Sequence, residues 1–235
     1  MISKFSLIIT LVFMSFATNA KNATVHNYAS YLNKSNFSEK IEIIYKTLNT
    51  NNFALPEINC FKKAMDGFLN LKEKGLISKD ILTVIDFSLS STKKRLWVID
   101  LSTNSILYNT LVSHGMKSGL EYANSFSNSQ SSNKSSLGFY ATGETYNGKH
   151  GLSLKLDGLE KGINSNARAR SVVMHGAGYA NPSIIKSQGY LGRSQGCPAI
   201  PEALKAEIIS IIKNKSCLFI YHPTKTYEIA SKLMS

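Results

Sequence analysis

Apolar positions along this chain change their period several times. From Phe5 to Phe16 they run almost unbroken behind Lys4, and they close on Thr18-Asn19-Ala20, with small residues at the minus-three and minus-one positions. Residues 1–20 are therefore expected to be a secretory signal peptide, because the run is short for a membrane span. From Ser38 the period becomes helical, with Ile41, Ile44, Tyr45 and Leu48 on one stripe. After Pro56, Ile58, Phe61, Met65, Phe68 and Leu69 continue it as far as Gly75, so helices are expected within an N-terminal segment at 21–80. The runs 81–87, 95–101 and 105–112 are β-branched and aromatic, which predicts strands, the last two joined as a hairpin. Residues 123–136 are a Ser/Asn-rich tract and read as a mobile surface loop. Strand-like runs with glycine turns return over 137–159. The apolar stretch VVMHG follows at 172–176, then a helix from Pro201 carrying Leu204, Ile208, Ile209, Ile211 and Ile212, and a last strand at 217–222. The pattern predicts an α+β protein, with N-terminal helices ahead of a β-rich domain at 81–235.

Charge narrows the partner class. The formal net charge is +12, of which the leader contributes one lysine, and about 215 residues remain after it for one good-sized domain. A basic exported protein is drawn to a polyanion, and nucleic acid, anionic lipid and bacterial cell wall all qualify. The lysines are dispersed and no nucleic-acid motif occurs, so nucleic acid is not expected as a partner. Once the leader is removed, no integral membrane span is expected. The three cysteines, Cys60, Cys197 and Cys217, are an odd number for an oxidising compartment, so one must be free or paired between chains. Cys60 and Cys217 fall on apolar helix and strand faces and read as core packing.

Cys197 lies instead in the polar stretch LGRSQGCPAIP, 22 residues after His175. A thiol with an ordinary pKa is only a few per cent thiolate at neutral pH, so a working nucleophile needs a base beside it. His175 follows an apolar strand signature and is expected at the end of that strand, projecting from the sheet edge as a general base would. Gly196 keeps the backbone beside the nucleophile uncrowded, which suits amide donors for an oxyanion. A bare His–Cys pair is nevertheless structural more often than catalytic, since cysteine is among the most buried residue types. The polar, glycine-flanked setting of Cys197, the strand before His175 and the oxidising compartment favour the catalytic reading.

These residues carry a resemblance. HGAG…GRSQGCPA is similar to the active-site segment of the YkuD-type L,D-transpeptidases, in which a histidine precedes a Ser/Thr-His-Gly-Cys motif. His175, Ser194, Gly196 and Cys197 match it, with a slightly long gap of 18 residues between His175 and Ser194. Gln195 replaces the second histidine, and Pro198-Ala199 follows the cysteine. In both respects the chain resembles the murein L,D-transpeptidase catalytic-domain branch, over about Thr83 to Pro223. The resemblance implies a β-rich YkuD-type catalytic fold, a mixed β-sandwich, at 81–235. It also implies peptidoglycan stem peptides as partners, and a periplasmic or cell-envelope location. Cys197 would be the nucleophile of a thioester acyl-enzyme that forms 3→3 cross-links, and His175 its base. The Gly196 and Cys197 amides would be the oxyanion donors, Ser194 would shape the turn, and the Gly176 carbonyl would orient His175. Arg193, Gln195 and His150 would touch substrate. No metal or cofactor is implied.

Rival readings differ in chemistry. His114, His150, His175 and His222 invite a metal hydrolase, but no ligand spacing such as HExxH occurs. A cysteine endopeptidase of the papain type needs the opposite order of cysteine and histidine. An L,D-carboxypeptidase would use the same pair with water as acceptor. A basic wall-binding module with an inert thiol would use neither residue.

Overall fold

The computed structural model describes residues 37–234. The expected signal peptide at 1–20 and residues 21–36 of the expected helical segment lie outside the described residues. Helices α1 (Phe37–Thr47) and α2 (Ile58–Glu73) follow the predicted periodicity. The α2 face that packs inward carries Cys60, Phe61, Ala64, Met65, Phe68 and Leu71. Leu71 rather than Leu69 completes that stripe, because Leu69 is only half-buried. Glu57 caps α2 by accepting from the N–H groups of Asn59 and Cys60, at 2.8 and 3.0 Å.

Eight strands form one mixed sheet: β1 (Ile81–Asp86), β2 (Leu96–Asp100), β3 (Ser105–Thr110), β4 (Gly138–Gly148), β5 (Gly151–Gly158), β6 (Val173–Ala177), β7 (Ala199–Pro201) and β8 (Cys217–Tyr221). Their spatial order is β3-β2-β1-β8-β4-β5-β6-β7. The pairs β1–β8 and β6–β7 are parallel, and the others antiparallel. Every residue of β8 is buried, as its unbroken apolar run CLFIY requires of a strand covered on both faces. Its Phe219 stacks on Phe139 of β4 with centroids 4.1 Å apart. Side chains of this kind contribute about 1.5–3 kcal/mol each on burial. Cys60 and Cys217 are fully buried free thiols in this core.

The two ends of the sheet nearly meet. Ser113, just past β3, bridges Ala199 of β7 and donates its N–H to the Ala199 carbonyl at 2.8 Å. The closing segment is held by Arg95, which is fully buried and donates to the carbonyls of Leu89 and Val112 and to Nδ1 of His114. Burial and the neighbouring Arg95 charge push His114 down to about 4, so this histidine is a neutral acceptor built into the frame.

Three expectations change. The helix placed from Pro201 begins at Lys205, as α4 (Lys205–Ile212; α3 is Pro182–Gln188), because Ala199–Pro201 is claimed by parallel pairing with β6. Two short helices, α3 and α5 (Lys225–Ala230), carry too few apolar positions to show a period. The 123–136 tract has almost no regular structure but is packed: Ser135 and Ser136 are buried, Ser136 Oγ donates to the Ser127 carbonyl across the tract, and Ser135 Oγ donates outside it to the Gly196 carbonyl.

Candidate active site

His175 is the middle residue of β6 rather than its end, opposite Ser153 of β5 on one side and Ala199 of β7 on the other. Alternation along the strand sends Val173, His175 and Ala177 to one face. The imidazole is 2% exposed. Its Nδ1 lies 2.9 Å from the Gly176 carbonyl, which can only accept, so Nδ1 carries the proton and Nε2 holds the lone pair in the neutral ring. Gly176 has a second duty. A β-carbon there would sit 2.4 Å from Glu202 Oε2 and 3.0 Å from Lys205 Cβ, so a side chain would crowd the 202–205 turn.

The nucleophile loop is tied from several directions. Ser194 donates its N–H to the His114 carbonyl at 2.9 Å, and its own carbonyl accepts from Met116 at 2.7 Å. Ser194 Oγ donates to the Cys197 carbonyl at 2.6 Å and accepts the Gly196 N–H at 3.0 Å, which closes the turn. Gly196 has φ +128°, a conformation that disfavours any side chain. The Gly196 N–H, expected as an oxyanion donor, is thus already engaged inside the loop, and the Cys197 N–H is the remaining one of the expected pair.

Cys197 is half-buried, with Sγ 3.4 Å from the Val173 N–H and 3.7 Å from the Ser171 carbonyl. Burial pushes the thiol up, while the Val173 N–H and the Arg170 charge pull it partly back. Burial holds His175 below the ordinary imidazole value; the Gly176 carbonyl opposes this and His150 adds to it. His150, exposed on the β4–β5 turn, stacks on the His175 ring at 4.4 Å and 21°. The ring of Tyr179 meets His175 edge-on at 6.5 Å.

Cys197 and His175 open into one cleft of about 600 Å³ that Arg193, Ser194, Gln195 and His150 also line. Lys149, Arg170 and Arg193 make it cationic, and among the described residues no carboxylate lines it. Gln195 is exposed. Arg193 is partly engaged, donating Nη1 to the carbonyls of Met116 and Gly119 at 3.3 and 3.2 Å. Among the described residues no three His, Cys, Asp or Glu side chains gather as metal ligands, and no helix is long and apolar enough to cross a membrane.

Arg170 was missed from sequence. It sits two residues after Arg168, whose guanidinium pairs with Asp157 and Glu144 on the surface, and nothing local separates the two roles.

The family model for the L,D-transpeptidase catalytic domain (YkuD_2) matches residues 55–221. Among solved structures, an L,D-transpeptidase from Mycobacterium smegmatis is 14% identical, with a TM-score of 0.38 over 61% of this chain and 59% of that one. L,D-transpeptidase 1 from Mycobacterium tuberculosis is 11% identical, with a TM-score of 0.35 over 62% and 63%. The helical cell shape determining protein Pgp2 from Campylobacter jejuni is 12% identical, with a TM-score of 0.40 over 72% and 62%. This chain therefore spans less than two thirds of the length of each. The curated protein sequences compared with it give no match. The matched segment runs from just before α2 through β8 and holds both His175 and Cys197, and on that match the chain belongs to the YkuD-type L,D-transpeptidase catalytic-domain family.

Proposed function

We propose that this protein is a cysteine-dependent peptidoglycan L,D-transpeptidase of the bacterial envelope, exported by its leader at 1–20. The observation that carries the reading is the shared cleft. Cys197 and His175 line it together, on a parallel strand pair whose register sets His175 beside Ala199, two residues beyond the cysteine. The Gly176 carbonyl leaves Nε2 of His175 as the basic atom. A cationic cleft without carboxylates suits a stem peptide, which carries several carboxylates.

In the proposed reaction the Cys197 thiol gives its proton to His175, and Sγ attacks the carbonyl joining meso-diaminopimelate to the terminal D-Ala. The oxyanion forms against the Cys197 N–H. The C–N bond breaks as His175 returns the proton to the D-Ala amine, which leaves a thioester on Cys197. The side-chain amine of a second stem then attacks the thioester. Its proton passes to His175, and Sγ departs with the 3→3 cross-link formed. With water as acceptor the same steps release a tripeptide, which is L,D-carboxypeptidase activity.

The test is mass spectrometry of purified tetrapeptide muropeptides after incubation with the protein. Cross-linked dimer supports the proposal, and tripeptide moves it to the carboxypeptidase. No change, with Cys197→Ala behaving like the native protein, sinks both and leaves a wall-binding module.

A further inference from the structure

Arg170 holds a half-buried positive charge against the nucleophile loop. Its Nη1 donates to the Ser127 carbonyl at 2.8 Å and to Ser136 Oγ. Its Nη2 donates to Ser132 Oγ at 3.1 Å and the Lys134 carbonyl at 2.7 Å. All four acceptors are uncharged, and among the described residues no carboxylate forms an ion pair with this guanidinium. Hydrogen bonds to neutral oxygens satisfy the donors but leave the charge uncompensated. A partly desolvated cation without a counter-ion is costly to keep. The contrast with Arg168, two residues earlier and paired with two carboxylates, is direct.

The same guanidinium lies against the backbone that presents the thiol. The point where a Gly196 β-carbon would sit is 3.5 Å from Arg170 Nη2 and 2.8 Å from the Lys134 carbonyl that this nitrogen binds. Ser135 Oγ ties the tract to the loop by donating to the Gly196 carbonyl at 3.2 Å and accepting from Gly115 at 3.0 Å. Arg170 and Cys197 both line the cleft. We propose that Arg170 is a positioning residue of the acyl-transfer site, its charge held by the 127–136 tract as the counter-ion for the Cys197 thiolate. The anion that neutralises it appears when the thiol loses its proton and again when Sγ leaves the thioester. The pull of Arg170 on the thiol, against burial, has the sign this role requires. The other titratable or charged groups around the cleft are His175 on β6, Tyr179 just beyond it, Tyr146 on β4, Lys149 and His150 on the β4–β5 turn, and Arg193 in the nucleophile loop, and Tyr140 of β4 acts on Arg170.

This inference rests on Cys197 being the nucleophile, but it is tested without turnover. The full chain is alkylated with iodoacetamide across a pH series, and the Cys197 peptide is quantified by mass spectrometry. Cys60 and Cys217, both 0% exposed, become modified only if the protein unfolds. Arg170→Gln should raise the alkylation midpoint by about one pH unit, or about tenfold in rate at neutral pH, as loss of one nearby opposite charge predicts. Arg170→Lys keeps the charge but loses the fork, and should keep the midpoint. A folded Arg170→Gln protein with an unmoved midpoint overturns the proposal, as does a folded Arg170→Lys protein whose midpoint rises like that of the Gln variant. If neither variant folds, the residue belongs to the frame and the proposal also fails. An Arg170-dependent midpoint in a protein that processes no muropeptide would defeat the proposed function alone.

Discussion

The sheet wall and the loop wall of the cleft use hydrogen bonds in opposite ways. On the sheet wall, His175 is carried by ladder bonds between backbones of β5, β6 and β7, and its ring is then oriented by a single carbonyl. On the loop wall the backbone pairing is reduced to isolated bridges such as the one between Gly115 and Ser194. Serine hydroxyls and one guanidinium join backbone segments that are far apart in sequence, and Ser135 alone bonds both Gly115 and Gly196. The sheet wall thus holds the proton-transfer group at a position that neighbouring strands over-determine. The loop wall holds a charge, and the strength of that hold depends on side chains that can be removed one at a time.

Variants separate the two. The largest effect is expected from His175→Asn, which removes the base and leaves the ladder: turnover should fall on the order of 10²–10⁴-fold. Its thermal midpoint should stay within a few degrees of native, since no backbone bond is lost. A variant retaining a third of native turnover would show that the sheet wall does not carry the chemistry. Gly196→Ala acts on the loop wall, directly beside Cys197. It places a side chain at φ +128° and a β-carbon 2.8 Å from the Lys134 carbonyl. Strain of this kind costs on the order of 1–3 kcal/mol, so both urea stability and turnover should drop together. Loss of turnover at unchanged stability would mean that the loop yields freely to a side chain there. Ser135→Ala leaves the buried Gly115 N–H without its acceptor and the Gly196 carbonyl without that donor. About 1–3 kcal/mol of stability should be lost, with a smaller fall in turnover than either variant above.

The sheet wall and Cys197 itself are the parts readable from sequence, for a physical reason. His175 and Cys197 are reactive residue types set beside glycines, and the strand under His175 announces itself through Val172, Val173 and Met174. Local composition therefore points to the pair, and α1, α2 and most strands follow from apolar period and β-branched composition. The loop wall gave the wrong impression. A run of serines and asparagines has the composition of a mobile segment, yet its hydroxyls are consumed by backbone groups and by Arg170 from 34 to 38 residues away. Nothing local distinguishes Arg170 from Arg168, because what separates them is which segments the fold brings near. The place of His175 within its strand was misjudged for a related reason. The apolar run ends at Met174, but pairing of Gly176 and Ala177 with Ile200 and Pro201 of β7 carries the strand on past His175.

The smallest expected effect concerns the one aromatic contact made onto His175 by the β4–β5 turn. His150 covers the His175 ring at 4.4 Å, adding to its burial and placing a second imidazole beside it. Burial is the main reason that His175 lies below its ordinary value, and the charge His150 can acquire works in the same direction. A lowered value keeps the base neutral, and so competent, to lower pH. His150→Ala removes that charge and part of the cover, so His175 should move up toward the ordinary value of about 6.5. Activity would then fade earlier as pH drops, and the acid limb of the kcat/KM profile should shift upward by a few tenths of a unit, on the order of 0.5 kcal/mol. Turnover at pH 8 should change only a few-fold, since the neutral base is unaltered there. His150→Phe restores the cover without the charge and should shift the limb less than the alanine variant does. If the alanine variant leaves the limb in place, or moves it downward, His150 does not set the protonation of His175.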